Sequence, residues 1–329
     1  MNATAQTDKA VIKGSSNRKN NGIINIFQEL GRNRMLYLMT VPGIIILLLF
    51  NYFPLFGLMV AFKNFNFGDG ILGSPWSEPI LKNFEYLLSS NSSAMRVTFN
   101  TLFLNALFIL FGMVFQVGLA LIFNELSVKN FKKVTQSLMF LPHFISWIVV
   151  GVIAYNIFTV DNGVINSMLL SMGAEKVDWY SMPWVWPIIM VLFHIWKASG
   201  YGMVIYLAAL SGIDITYYEA AQIDGATRWQ QIRKVTIPLL MPTIITLALL
   251  QVGRIMNADF GMFYAIVGDN AAIYSSVDVI DTFVFRSLRL NGDVGMASAA
   301  GFYQSVIASV IIILSNQLSR KYNPEGALF

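Results

Sequence analysis

The chain contains no cysteine. That single absence excludes disulfides, Cys-ligated zinc, iron–sulfur clusters and thiol nucleophiles together. Charge is scarce as well: 12% of the 329 residues are Asp, Glu, Lys or Arg, about half the ~25% usual in soluble domains. Histidine occurs twice, as His143 and His194. Both lie inside apolar segments and make a poor metal site by themselves, so no metal is expected. No G-x-x-x-x-G-K-[ST] run is present, and the chain therefore lacks the loop that cradles ATP phosphates. It also lacks an H-E-x-x-H zinc motif and a G-x-S-x-G nucleophile elbow. Nothing near the start resembles a cleaved signal peptide, because the first apolar run begins near Leu36 after a long polar lead.

What is abundant is apolar and aromatic. Hydrophobic residues make up 56% of the chain, with 25 Phe, 13 Tyr and 7 Trp, and mean hydropathy is +0.59. This is the composition of a membrane protein. A helix needs about 20 apolar residues to cross the hydrocarbon core. Six stretches reach that length: roughly 36–62, 101–125, 136–158, 184–210, 238–267 and 295–318. The expected fold is all-α, a bundle of six transmembrane helices. With the N-terminus inside, fourteen Lys and Arg fall on inner segments and six on outer loops, while Lys197 and Arg254 fall within spans. The bias puts both termini in the cytoplasm. Residues 1–22, rich in Asn, Lys, Ser and Gly, read as a disordered cytoplasmic tail. Residues 23–329 read as one transmembrane domain. "NIFQELGRNRM" reads as a short interfacial helix, and the outer loop from Lys63 to Asn100 as partly ordered. No soluble domain or internal repeat is apparent.

One polar, helix-prone stretch interrupts this pattern, "TYYEAAQIDGATRWQQIRKVTIP" from Thr216 to Pro238. Thr216 with Glu219 and Thr227 with Gln230 have the spacing of two capping boxes. Gly225 stands where a left-handed residue would end the first helix. The spacing predicts a helix over 217–224, a turn at Gly225–Ala226 and a second helix over 228–236. Trp229, Ile232 and Val235 would form an apolar stripe on the second helix. The simpler account of Glu219 is that it only closes its capping box. The simpler account of the whole stretch is an inert amphipathic helix, which would not require this spacing.

The run "EAAQIDGATRWQQIRKVTIP" resembles the EAA motif of the integral membrane permease subunits of ABC importers. That motif is Glu-Ala-Ala, three residues, Gly, nine residues, then Ile-x-Leu-Pro. It is matched by Glu219, Ala220, Ala221, Gly225 and Pro238, with Val235 and Ile237 as conservative replacements. "YLAALSGID" and "LPHFISW" resemble the carbohydrate-uptake branch, and the resemblance extends over roughly 30–320. It implies a cytoplasmic coupling helix over about 216–237 that docks on an ATPase. The residues it assigns to that contact are Glu219, Ala220, Ala221, Asp224, Gly225 and Trp229. It further implies a second homologous permease subunit, two cytoplasmic ABC ATPase subunits, an extracellular solute-binding protein and an oligosaccharide substrate. Residence in a bacterial cell membrane follows, as does the absence of nucleic acid. ATP and Mg would sit in the partner ATPases, so this chain would carry no cofactor and no catalytic residue.

Ionisable residues inside spans are functional hypotheses by default. "HIWKASGY" supplies Trp196, Lys197 and Tyr201; "GRIMNADFGMFY" supplies Arg254, Asn257, Asp259, Phe260 and Tyr264; "GFYQS" adds Tyr303 and Gln304. Aromatic platforms with amide and carboxylate partners suit a glycan path, because sugars present hydroxyls around flat CH faces. Two in-membrane cations would favour an acidic glycan. The competing account is that Lys197 or Arg254 pairs with Asp259 and only holds helices together. Rival functions are an importer of the same build for a non-sugar solute, and a membrane-embedded enzyme using Asp259 or His194 as acid or base. An ion-driven secondary transporter is the third, though it would have no use for the polar stretch.

Overall fold

The computed structural model describes residues 33–85, 93–126 and 128–322. The expected tail and most of "NIFQELGRNRM" lie outside the described residues. Among these the regular structure is helical, with a single isolated antiparallel bridge between Lys63 and Trp76. Five helical stretches are long and apolar enough to cross a membrane, or six if one bent pair counts as a span.

The chain divides into two units, residues 1–57 and 58–329. In the first, α1 (Arg34–Leu47) carries Pro42 in its interior and runs into a π-helical turn, Leu48–Tyr52. Helix α1 buries none of its residues, the surface expected of a segment that meets hydrocarbon rather than water.

The second unit opens with an ordered loop. Lys63 is 4% exposed. Its Nζ donates to the Ile71 carbonyl at 2.8 Å and the Leu72 carbonyl at 3.0 Å, and lies 5.2 Å from the Trp76 ring centre. A buried ammonium is tolerable only when its donors are used, and here they close the loop. Then come α2 (Ser93–Glu125), α3 (Lys129–Phe140), α4 (Trp147–Phe158), the short α5 (Val164–Ser171) and α6 (Trp186–Ser211). Beyond the polar stretch, α9 (Ile237–Val252) and α10 (Phe260–Val267) lead to α11 (Ile280–Arg286) and α12 (Val294–Tyr322). Between α6 and α9 lie α7 (Thr216–Ile223) and α8 (Arg228–Gln231).

Two expected spans prove to be broken. The third bends by 94° between Lys129–Phe144 and Trp147–Phe158. Pro142 cannot donate a helical N–H, and Ser146 starts α4 afresh by accepting the Val149 N–H. The fifth leaves the helix after Val252 and resumes at Phe260. A hydropathy average taken over a whole span registers neither break, because it dilutes the few polar residues there, among them Ser146, Arg254, Asn257 and Asp259.

Helices α2 and α6 form the spine, with a core cluster near each end. One cluster gathers Leu104, Phe108, Trp186, Ile189 and Met190 with Val150, Ala154, Met262 and Phe263. The other gathers Ala120, Phe123, Met203, Tyr206, Leu210 and Leu240. Between α4 and α10 the backbones touch at Gly151, where an added Cβ would overlap the Ala265 carbonyl oxygen. Only glycine permits that approach.

Candidate functional site

The bend between α3 and α4 interrupts the helical hydrogen bonding of its carbonyls, and α6 supplies a donor. Lys197 Nζ donates to the His143 carbonyl at 2.8 Å, the Pro142 carbonyl at 3.3 Å and also the Ile145 carbonyl. An ammonium carries three donors, so all are engaged at the bend. The same nitrogen lies 5.1 Å from the Trp147 ring centre. Trp147 Nε1 in turn donates to Asp259 Oδ2 at 2.6 Å, and Asp259 Oδ1 accepts the Met262 N–H at the start of α10. Lys197 and Asp259 therefore share Trp147 as an intermediary and form no ion pair with each other.

These groups line a cavity of about 450 Å³ with His143, Phe144, Ser146, His194 and Ala198. His143 stacks on Tyr201 with ring centres 4.5 Å apart, and His194 stacks on Phe108 at 4.6 Å. The cavity thus combines a fixed carboxylate, a saturated ammonium and oriented aromatic rings. Such a lining can hydrogen-bond hydroxyls and cover CH faces.

The structure gathers Lys197, Tyr201 and Asp259 around this bend but sends Trp196 elsewhere. Trp196 lines apolar hollows with Phe115 and Leu138 on one side and Ile153 and Leu192 on the other. Arg254 and Asn257 are exposed on the non-helical link between α9 and α10, and Arg254 makes no ion pair with Asp259. Phe260 and Tyr264 stack at 5.2 Å and both meet Phe285; the Tyr264 hydroxyl accepts from Arg289 at 3.0 Å. Tyr303 bonds Thr98 at 3.3 Å. Gln304 serves the link itself: its Nε2 donates to the Met256 carbonyl at 3.0 Å and to Asp281 at 3.2 Å. Asn105 donates to the Ile255 carbonyl at 2.8 Å, and Asp281 accepts the Ala258 N–H at 2.9 Å. Irregular backbone at membrane depth survives where neighbours satisfy it in this way.

Trp147, Asn105 and Asp281 were not foreseen from sequence. Trp147 stood within "LPHFISW", but nothing in the letters marked it as the residue between Lys197 and Asp259. Among the described residues no group of three or more His, Asp or Glu could hold a metal.

The polar stretch folds as a two-helix elbow. Helix α7 ends at Gly225 with φ +75°; the Gly225 N–H meets the Gln222 carbonyl at 3.0 Å and the Ala226 N–H the Ala221 carbonyl at 2.9 Å. This is the Schellman pattern, which a left-handed glycine makes inexpensive. Helix α8 starts with a complete capping box of Thr227 and Gln230. The first expected box does not form. Thr216 is already helical, and Asp214 takes its N–H at 2.9 Å, because a carboxylate two residues upstream reaches that donor first. That hydrogen bond to the charged form holds the Asp214 carboxyl below its ordinary range. Glu219 has no hydrogen-bond or ion-pair partner among the described residues. Ile215, Tyr217, Ile223 and Trp229 are 67%, 55%, 86% and 69% exposed, so Trp229 stands clear of the stripe that Ile232 and Val235 half-bury.

Comparison with known proteins gives this arrangement its context. The family described as "Binding-protein-dependent transport system inner membrane component" matches residues 116–323. Protein LplB of Bacillus subtilis (strain 168) is 34% identical over 306 residues, covering 92% of this chain and 94% of that protein. The polygalacturonan/rhamnogalacturonan transport system permease protein YteP of the same organism is 33% identical over 325 residues, 98% of each. A crystal structure of a bacterial ABC transporter for import of the acidic polysaccharide alginate contains a similar chain. The TM-score is 0.80 at 34% identity, covering 91% of this chain and 99% of that one. A second structure of the alginate transporter, in complex with an alginate pentasaccharide-bound periplasmic protein, matches equally at 0.80. With more than half its length inside the family match and relatives aligned nearly end to end, the chain belongs to the inner-membrane components of binding-protein-dependent transport systems, and is a transporter subunit rather than an enzyme.

Proposed function

We propose that this chain is the permease subunit of an ABC importer for oligosaccharides, forming half of a pathway completed by a second, homologous permease. Two ATPase subunits dock on the elbow from the cytoplasm, where both termini also lie, and an extracellular solute-binding protein delivers the sugar. The observation that carries the coupling role is the elbow itself: a membrane chain with no ATP-binding loop of its own holds out two short helices joined by a glycine turn, with no partner for Glu219 among the described residues and four large apolar side chains exposed. Ala220 and Ala221 allow close approach to a partner, while Asp224 and Gly225 end α7 sharply. Closure of the ATPases then moves the elbow, and with it the spans, in a domain-rocking transition.

The cavity at the bend is the proposed sugar contact, with Lys197, Asp259 and Trp147 in its lining and Tyr201 stacked on His143 of that lining. Phe260, Tyr264, Arg254 and Asn257 lie further along the proposed path. Oligosaccharide fits both this lining and the relatives, whose printed substrates are polysaccharides. Within that class the acidic members are favoured by the alginate importer's own description.

Two measurements test the proposal. Gly225→Val and Glu219→Ala should insert normally in the membrane yet lose the ATPases on purification; unchanged substrate-stimulated ATP hydrolysis would count against the docking role. Uptake by proteoliposomes of uronate-containing oligosaccharides should exceed that of neutral ones of equal length. Equal uptake of both removes the acidic preference and leaves the permease role standing.

A further inference from the structure

Two polar side chains are buried inside the elbow, where an ordinary packed helix pair would place apolar ones. Gln231 is 3% exposed and Thr236 is 2% exposed. Gln231 Nε2 donates to the Ala226 carbonyl at 3.1 Å, tying α8 back to the turn after α7. Thr236 lies in the π-helical turn Ile232–Thr236 that joins α8 to α9. Its Oγ1 bonds the Gln231 carbonyl five residues back at 3.4 Å and meets the Tyr218 hydroxyl at 3.1 Å. One consistent proton arrangement satisfies the set. The Tyr218 hydroxyl donates to Thr236 Oγ1, which donates to the Gln231 carbonyl, while the Gln231 amide donates to the Ala226 carbonyl.

We propose that Tyr218, Gln231 and Thr236 are positioning residues that weld α7, α8 and the base of α9 into one rigid lever, so that displacement of α7 reaches α9 without slack. Apolar contacts alone let helices slide, whereas buried polar groups are expensive to separate and so fix both distance and direction. The π turn is part of the device. A helix widened by one residue per turn is locally less stable than an α-helix, and it lies where the lever joins the span. Without the Tyr218–Thr236 bond that turn would flex as a hinge. With it, the turn is bridged from α7 directly. The inference rests on the reading of the elbow as the ATPase contact.

The test uses the assembled importer in proteoliposomes, with ATP hydrolysis and sugar uptake followed in the same vesicles. Tyr218→Phe and Thr236→Val should keep the ATPases bound but lower sugar taken up per ATP hydrolysed by about three- to tenfold, the loss expected for one or two buried hydrogen bonds. Thr236→Ser, which keeps the hydroxyl, should restore the ratio. The chain is naturally free of cysteine, so spin labels at Gln222→Cys and Leu239→Cys, both exposed, report the lever directly. Their distance distribution should be narrow in the parent importer and broadened by Tyr218→Phe. An unchanged uptake-to-ATP ratio together with an unchanged distance distribution overturns the weld. Should Thr236→Val fail to assemble, Tyr218→Phe, which removes one oxygen from a half-buried ring, decides the matter. Failure of the docking reading looks different: the ATPases would stay bound to the Glu219→Ala and Gly225→Val importers.

Discussion

Lys197 illustrates how a charged residue in a span earns its place. The sequence marked it as a candidate for the substrate path or for an ion pair with Asp259, and the structure gives it a third role as the cap of a bent helix. All its donors reach backbone carbonyls at the bend. Lys197→Met should therefore destabilise the chain by about 2 kcal/mol or more, since several carbonyls lose a charged donor at once. A lowered thermal unfolding midpoint in detergent would register this; an unchanged midpoint would return Lys197 to the pathway alone. Tyr206 makes the opposite prediction. It is 1% exposed and its hydroxyl has no partner among the described residues. Tyr206→Phe should hold or raise the unfolding midpoint, because it removes a buried unpaired polar atom and nothing else. Neither assignment was legible from letters. In-span polarity is visible in a sequence, but which acceptor lies within reach depends on helix rotation and on how sharply the chain bends at Pro142–Ser146.

At the scale of elements, the elbow was the most readable part of the chain and the broken spans the least. Thr227, Gln230 and Gly225 act through local backbone bonds, and local spacing is what a sequence records. Gly225→Ala should cost about 1 kcal/mol from its left-handed backbone alone, measurable as a lower midpoint. The start of α7 was misjudged because Asp214, two residues upstream of Thr216, competes for the same N–H. Its contribution has a defined pH dependence. The folded carboxyl titrates below its ordinary value, so the added stability is present above the ordinary carboxylate range and is lost as pH falls through the depressed value. Asp214→Asn should flatten that acid-side dependence, as read from hydrogen exchange of the α7 amides. The link between α9 and α10 carries a parallel expectation. Asn105→Leu or Gln304→Leu each strand a carbonyl of that link and should cost about 1–3 kcal/mol, with non-additive effects in the double variant because the two act on adjacent residues.

At the scale of the whole molecule, the proposed importer takes a pathway and a handle from this chain and its motor from partner subunits. Vesicles containing it alone should neither hydrolyse ATP nor accumulate sugar, and uptake should appear once the partner permease, ATPases and solute-binding protein are added. Uptake driven by an ion gradient in their absence would sink the importer reading. Class, span number to within the broken helices, and the elbow with its glycine turn were determined by the sequence alone, because hydropathy, capping and left-handed backbone are properties of a few adjacent residues. The 94° bend, the carbonyls that Lys197 satisfies, Trp147 between Lys197 and Asp259, and the polar weld inside the elbow were decided only in the tertiary structure. Each joins residues far apart along the chain, or depends on which face of a helix turns inward, and the energetic demand that a buried polar group find a partner does not say where in the sequence that partner stands.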